Sequence, residues 1–279
     1  MTPSDVVPRL ARAVTFFSGP LPRQFAHRGA SGTHPENTLA SFRRARDEGA
    51  EGFELDVHRT ADGQVVVFHD PTLERTTDGR GTVAGLTLAE LRDLDAGSRF
   101  TPDGGQTHPF RGQDVRVPTL REVLVEFPDL PIIIEVKQVE PPLEEDLRDV
   151  IAGCGAEEQT LVFSLAQEPL DRYRALERDQ ATGFGPEDVA DFLRRVRDGT
   201  WEGYRPPGAA FAVPVSWHGI QIVSGPFVEA AHRFGCEVYV WTVNAEDEME
   251  RLLDLGVDGL ISDFPARLAE VVRRRRATV

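Results

Sequence analysis

"ELDVHRTADGQVVVFHD", residues 54–70, reads as a strand, a tight turn and a second strand. Only "ADG" separates "GFELDVHRT" from "QVVVFH". A parallel crossover needs a dozen or more residues, so the second strand is an antiparallel return arm. Asp62-Gly63 is a strong hairpin signal. Taken as a two-residue turn, it sets Asp56 directly opposite His69, with Cβ atoms about 5 Å apart. The first strand carries Glu54, Asp56 and His58 at every second position, hence on one face. A strand that only packed against a core would show Val or Ile there. Something must offset the polar cost of that face.

Outward from this hairpin, short apolar runs alternate with helical patterns. The runs are "QFAHRG" (24–29), "GFELDV" (52–57), "IIIEVK" (132–137), "TLVFSL" (160–165), "ATGFG" (181–185), "HGIQIV" (218–223), "EVYVWTVN" (237–244) and "GLISDF" (259–264). Helix-like segments such as "NTLASFRRARDEG" and "AEDEMERLLDLG" lie between most of them, with Asn37 and Asn244 at expected N-caps and glycines at C-caps. Strands alternating with helices predict a parallel sheet. Eight units predict a closed (β/α)8 TIM barrel, with the 64–69 arm as a β-hairpin outside the count. From about 71 to 117 the pattern dissolves into Gly, Thr, Asp and Arg, with one short helix near Thr87–Leu94. This is read as a small insertion over the barrel mouth within a single domain spanning 1–279.

The 279 residues are 40% hydrophobic and 28% charged, with a formal charge of −15. An acidic surface repels nucleic acid and anionic lipid, so neither is expected as a primary partner. Two cysteines, Cys154 and Cys236, form no disulfide framework and suit a reducing compartment. No basic region followed by an apolar stretch marks a signal peptide, and no apolar run reaches a membrane span. A cytoplasmic protein is expected. Among 31 basic side chains, Lys137 is the single lysine. "RRRR" at 273–276 suits the C-terminal end of the last helix.

Barrel chemistry lies at the C-terminal ends of the strands. There the sequence puts His27 and Arg28, Glu54 and Asp56, Glu135 and Lys137, and Trp241, while the hairpin brings His69. Three clustered carboxylates do not all ionise without a cation beside them. Oxygen ligands alone favour Ca²⁺ or Mg²⁺ over zinc. Glu54, Asp56 and Glu135 against Arg28 and Lys137 leave one negative charge, and a divalent cation turns this positive, so that a phosphodiester monoanion is attracted. Arg28 can grip phosphate oxygens and Lys137 can act as a point charge. His27 and His69 suit general acid and base roles, in either order. No partner spacing supports a role for His34, His58, His108, His218 or His232. Trp241 by itself reads as core.

These residues resemble the glycerophosphodiester phosphodiesterase family. "AHRGASGTHPENTLASF" (26–42) looks like its first signature and "ELDVHRTADGQVVVFHD" like its second. "IIIEVK", "VWTVN" and "GVDGLISDFP" follow in order, so that the likeness runs from about Phe25 to Val272. "VFSL" (162–165) departs from the common Ser-Phe and bears only on pocket shape. The resemblance implies metal-dependent hydrolysis of small glycerophosphodiesters, such as glycerophosphocholine or glycerophosphoethanolamine, to glycerol 3-phosphate and an alcohol. It implies His27 and His69 as catalytic, Glu54, Asp56 and Glu135 as metal ligands, and Arg28, Lys137 and Trp241 as substrate-binding. A route through the glycerol 2-hydroxyl and a cyclic phosphate is open to the family. A lysophospholipase D or sphingomyelinase-D-like activity would need an apolar surface at the mouth, and the insertion offers few candidates. A Schiff-base aldolase using Lys137, or a non-catalytic binding module, would leave the paired histidines and three carboxylates without a task.

Overall fold

The computed structural model describes residues 16–277; the expected lack of a leader peptide concerns residues outside this range. Strands follow in the order β1 (Arg23–His27), β2 (Gly52–Arg59), β3 (Val65–Val67), β4 (Ile132–Val136), β5 (Thr160–Phe163), β6 (Ala210–Pro214), β7 (Ser216–Trp217), β8 (Ile220–Gln221), β9 (Glu237–Trp241) and β10 (Gly259–Ser262). The helices are α1 (Leu39–Asp47), α2 (Leu88–Arg92), α3 (Leu120–Glu126), α4 (Glu144–Cys154), α5 (Gln167–Leu176), α6 (Pro186–Asp198), α7 (Gly225–Arg233), α8 (Glu246–Asp254) and α9 (Pro265–Arg276).

Seven strands run side by side in the order β5-β4-β2-β1-β10-β9-β6. Residues 181–183 close the gap between β5 and β6 through parallel bridges Val162–Thr182 and Gly183–Ala210. Gly183 N donates to Val162 O at 2.9 Å and Ala209 N to Thr182 O at 2.8 Å. The result is a TIM barrel. "ATGFG" thus supplies the eighth staff of the barrel, although it is too short to form a regular strand.

The sixth strand differs from the expectation. "HGIQIV" was expected there, but Ala210–Pro214 takes the position and pairs with β9. His218 and Gly219, with φ of 48° and 81°, instead turn the chain between β7 and β8. Two consecutive left-handed residues suit a type I′ hairpin and cannot continue a strand.

The hairpin arm is present but its register is shifted. β2 and β3 pair Val57 with Val67 and His58 with Val66. Thr60 N bonds Gln64 O, and Gly63 is left-handed with φ of 82°. The loop therefore has three residues, with glycine at the left-handed position such loops favour. Asp56 faces Phe68, whose N–H donates to Asp56 O at 2.9 Å, rather than His69. Thr87 caps α2 with a full capping box. Leu73, Val83, Leu91, Val115 and Val117 of the segment after β3 are buried in their own cluster with Val66 and Phe68.

Inside the barrel, Phe25, Ile133, Tyr239 and Ile261 form part of an apolar cluster. Two residues further along the same strand faces stand His27, Glu135, Trp241 and Asp263. The site is thus the continuation of the core into the barrel mouth. Among the described residues, no helix is long and apolar enough to cross a membrane.

Candidate active site

Glu54, Asp56 and Glu135 each direct a carboxylate oxygen to a common point, the oxygens lying within 4.8 Å of one another. Sheet register accounts for this, since β1 aligns His27 with Glu54 and β4 aligns Glu135 with Asp56. All three side chains are buried, Asp56 completely. Burial and the negative Asp56 push Glu54 well above the usual carboxylate range and Glu135 up to about 7. Burial also penalises Asp56, but Arg28, Lys137, His69 and Asn37 together hold it below its ordinary value. Glu54 Oε2 and Asp56 Oδ1 are buried and accept no hydrogen bond, although the Lys137 ammonium stands 3.3 Å from the latter. A hard divalent cation fits such a set, because it would satisfy both oxygens and relieve the repulsion.

The cationic side chains are already engaged. Arg28 Nε lies 3.0 Å from Asp56 Oδ2 and Nη1 lies 3.0 Å from Glu36 Oε1. Lys137 Nζ lies 2.8 Å from Glu135 Oε1 and 3.3 Å from Asp56 Oδ1. Both therefore border the carboxylate cluster. Arg28 is left-handed, with φ of 54°.

Each histidine leans on an acid. His27 Nδ1 lies 2.6 Å from Asp263 Oδ1, and its Nε2 is 3.8 Å from Glu54 Oε2. Asp263 is further fixed by Asn244 Nδ2 at 2.6 Å and Ser31 Oγ at 2.8 Å. His69 Nδ1 lies 2.5 Å from Asp70 Oδ1. Arg75 grips Asp70 through Nε at 2.6 Å and Glu36 through Nη1 at 2.7 Å. A chain of polar contacts thus runs His69–Asp70–Arg75–Glu36–Arg28–Asp56. Burial lowers His69 below the usual imidazole value, and neighbouring Arg28 and Lys137 add to this against the pull of Asp56.

Two expectations about local structure are corrected here. Asn37 does not cap α1. It is left-handed, with φ of 57°, and its Nδ2 donates to Asp56 Oδ2 at 2.8 Å. Thr38 caps the helix by accepting from Ser41 N. Asn244 does not cap α8, whose first turn follows Ala245. Its side chain instead holds Asp263 and accepts from Asp263 N. His58 also gains a structural partner. Its Nε2 donates to the His69 carbonyl at 3.0 Å, so it braces the backbone that carries His69.

The sequence reading missed Ser31, Glu36, Asn37, Asp70, Arg75, Asn244 and Asp263. Asp70 adjoins His69, and "SDF" follows a strand at the level of the other site residues. Those two positions carried a readable signal. Glu36 and Arg75 meet only through the folded insertion.

The model of the glycerophosphoryl diester phosphodiesterase family matches residues 27–151 and 196–267. A glycerophosphodiester phosphodiesterase of Caldanaerobacter subterraneus subsp. tengcongensis is 35% identical over 259 residues, covering 89% of this chain and 97% of the relative. A crystallised domain of an uncharacterised Mycobacterium tuberculosis protein superposes with a TM-score of 0.78 at 21% identity, over 91% of this chain and all of that one. An Oleispira antarctica phosphodiesterase, solved with its product sn-glycerol-3-phosphate, gives a TM-score of 0.72 at 29% identity over 91% and 97% of the two chains.

Proposed function

Because the chain belongs to the glycerophosphoryl diester phosphodiesterase family, we propose that it hydrolyses small glycerophosphodiesters to glycerol 3-phosphate and an alcohol, with a divalent cation and two histidines. The observation that carries this reading is the convergence of three buried carboxylates with two acid-braced imidazoles on one barrel mouth. The product held by the Oleispira antarctica relative supports the substrate class.

Glu54, Asp56 and Glu135 are the groups that would hold Ca²⁺ or Mg²⁺. When bound, the cation would polarise the phosphate and offset charge developing on its oxygens. Arg28 and Lys137 border that position and orient the anion, while their carboxylate partners keep them extended toward it. One imidazole takes the proton of the attacking hydroxyl and the other returns a proton to the leaving oxygen. Asp263 and Asp70 fix the Nδ1 side of each ring, which leaves Nε2 as the proton-handling atom. Trp241 forms one wall of the substrate pocket.

The test is glycerol 3-phosphate release from glycerophosphocholine and glycerophosphoethanolamine, with EDTA and after restoring Ca²⁺ or Mg²⁺. His27→Ala and His69→Ala are each expected to cost about 10²–10⁴-fold in kcat. Unchanged turnover in EDTA would remove the cation from the mechanism. Near-normal turnover in both variants would remove the histidines.

A further inference from the structure

The β7–β8 hairpin stands directly after barrel strand β6, at the same end as the carboxylates. Its tip pairs Trp217 with Ile220 across the I′ turn. Both are exposed, at 49% and 63%. Solvent exposure of a Trp and an Ile on so small a ribbon needs an explanation. Trp217 is not free of contacts, however. Its ring meets Trp241 at 6.4 Å between centroids and an interplanar angle of 73°. Trp241 is the last residue of β9, next to β6 through the Pro214–Trp241 pair. The two indoles therefore form an open corner at the mouth. In strand order, β6 lies four places from β2, so the corner stands across the mouth from Glu54 and Asp56.

A corner of two near-perpendicular aromatic rings offers two negative π-faces to one guest. That arrangement suits a quaternary ammonium, which cannot donate hydrogen bonds and is weakly hydrated. The chain's charge of −15 attracts a cation to the mouth from a distance. A phosphodiester anchored at the carboxylates would extend its alcohol substituent across the opening toward this corner.

We propose that Trp217 is a specificity-determining residue, forming with Trp241 a subsite for a trimethylammonium group on the alcohol side of the phosphodiester. This rests on the phosphodiesterase reading of the site and adds the class of leaving alcohol. Ile220 is the cross-strand partner of Trp217 on the same ribbon. The I′ turn and the contact of Trp217 with Trp241 hold the ribbon tip in position.

The test compares kcat/KM for glycerophosphocholine, glycerophosphoethanolamine and glycerophosphoglycerol in the wild type, Trp217→Ala and Trp217→Phe. Trp217→Ala is expected to lose roughly 3- to 30-fold on glycerophosphocholine. The loss should be smaller on glycerophosphoethanolamine, whose ammonium is strongly hydrated, and absent on glycerophosphoglycerol, which carries no cation. Trp217→Phe should recover most of the loss. An equal loss on all three substrates, or none, overturns the proposal. Lysophosphatidylcholine and lysophosphatidylethanolamine extend the series. A Trp217→Ala defect that follows the acyl chain rather than the methylated nitrogen makes this a lipid contact and also overturns the proposal. Quenching of Trp fluorescence by choline needs no turnover. It is expected in the wild type and lost in Trp217→Ala. Its absence in an enzyme that still cleaves glycerophosphodiesters overturns the subsite alone, whereas a wild type that binds choline yet cleaves none of the substrates overturns the phosphodiesterase reading.

Discussion

His27 and Asp263 come from opposite ends of the chain, and their side chains meet at 2.6 Å across the β1–β10 seam. Asp263 accepts at the same time from Ser31 and Asn244. An imidazole held this way has one tautomer and one orientation. Asp263→Asn keeps the shape but offers an amide that can donate, which selects the wrong tautomer. We expect kcat to fall by about 10²-fold or more, approaching the loss in His27→Ala. Steady-state kinetics on glycerophosphocholine check this. A kcat within twofold of wild type would reduce Asp263 to a structural residue.

Arg75 reaches the site from the insertion and binds Asp70 and Glu36 together. Arg75→Ala frees Asp70 from its clamp and Glu36 from one of two partners, so both His69 and Arg28 lose their fixed positions. The expected result is a fall in kcat of up to about 10²-fold, of the size that a small misplacement of a reacting group produces. Arg75→Lys should recover only part, since a single ammonium cannot replace the planar fork. Equal activity of all three forms would disprove the clamp.

Asp70 and Asp263 both stand at about 2, although burial alone would raise them. Hydrogen bonds and charge from Arg75 and His69 lower the first, and from His27, Asn244 and Ser31 the second. A depressed folded value means stability that is complete above the unfolded value near 4 and is lost as pH falls toward 2. Asp263 contributes on the order of 2 kcal/mol, and the more exposed Asp70 contributes less because solvent screens its partners. Urea melts from pH 5 to pH 2 should show this decline, and Asp263→Asn should flatten it. An identical acid slope in the variant would refute the assignment.

Glu135 and Glu54 are raised by burial and by Asp56, so protons and a cation compete for the same oxygens. Binding of Ca²⁺ or Mg²⁺ should release protons and tighten as pH rises through about 7, the value reached by Glu135. Calorimetry in two buffers of different ionisation enthalpy measures the proton count directly. Glu135→Gln should remove its own share of that release, leaving the share of Glu54, and weaken the ion. Binding without pH dependence would contradict the competition.

The strand pattern of residues 54–70 was legible because alternating polarity and Asp62-Gly63 are local signals. The one-residue register shift was not, because it depends on Gly63 closing a three-residue loop, and both loop lengths suit the same dipeptide. Even so, His69 arrives near Asp56, since the chain reverses in either register. Glu54, Asp56, Glu135, His27 and Lys137 were readable from strand-end position alone. Asp263 stood at a readable strand end, but its pairing with His27, 236 residues away, did not show, and the contact of Arg75 with Glu36, 39 residues away, follows no periodicity. Asn37 and Asn244 carried the right residue type for a cap and a different task. Strand β6 escaped notice because "AFAVP" is short, Ala-rich and ends in Pro, whereas "HGIQIV" shows stronger β-branched content.

Lys137 is the one side-chain amine of the chain, and it stands against Glu135 and Asp56. Reductive methylation with isotopically labelled formaldehyde would therefore mark a single side chain, at the carboxylate cluster itself. Its nuclear resonance would report every change of charge on the neighbouring acids without any substitution. The near-exclusive use of arginine elsewhere turns the site into its own spectroscopic window.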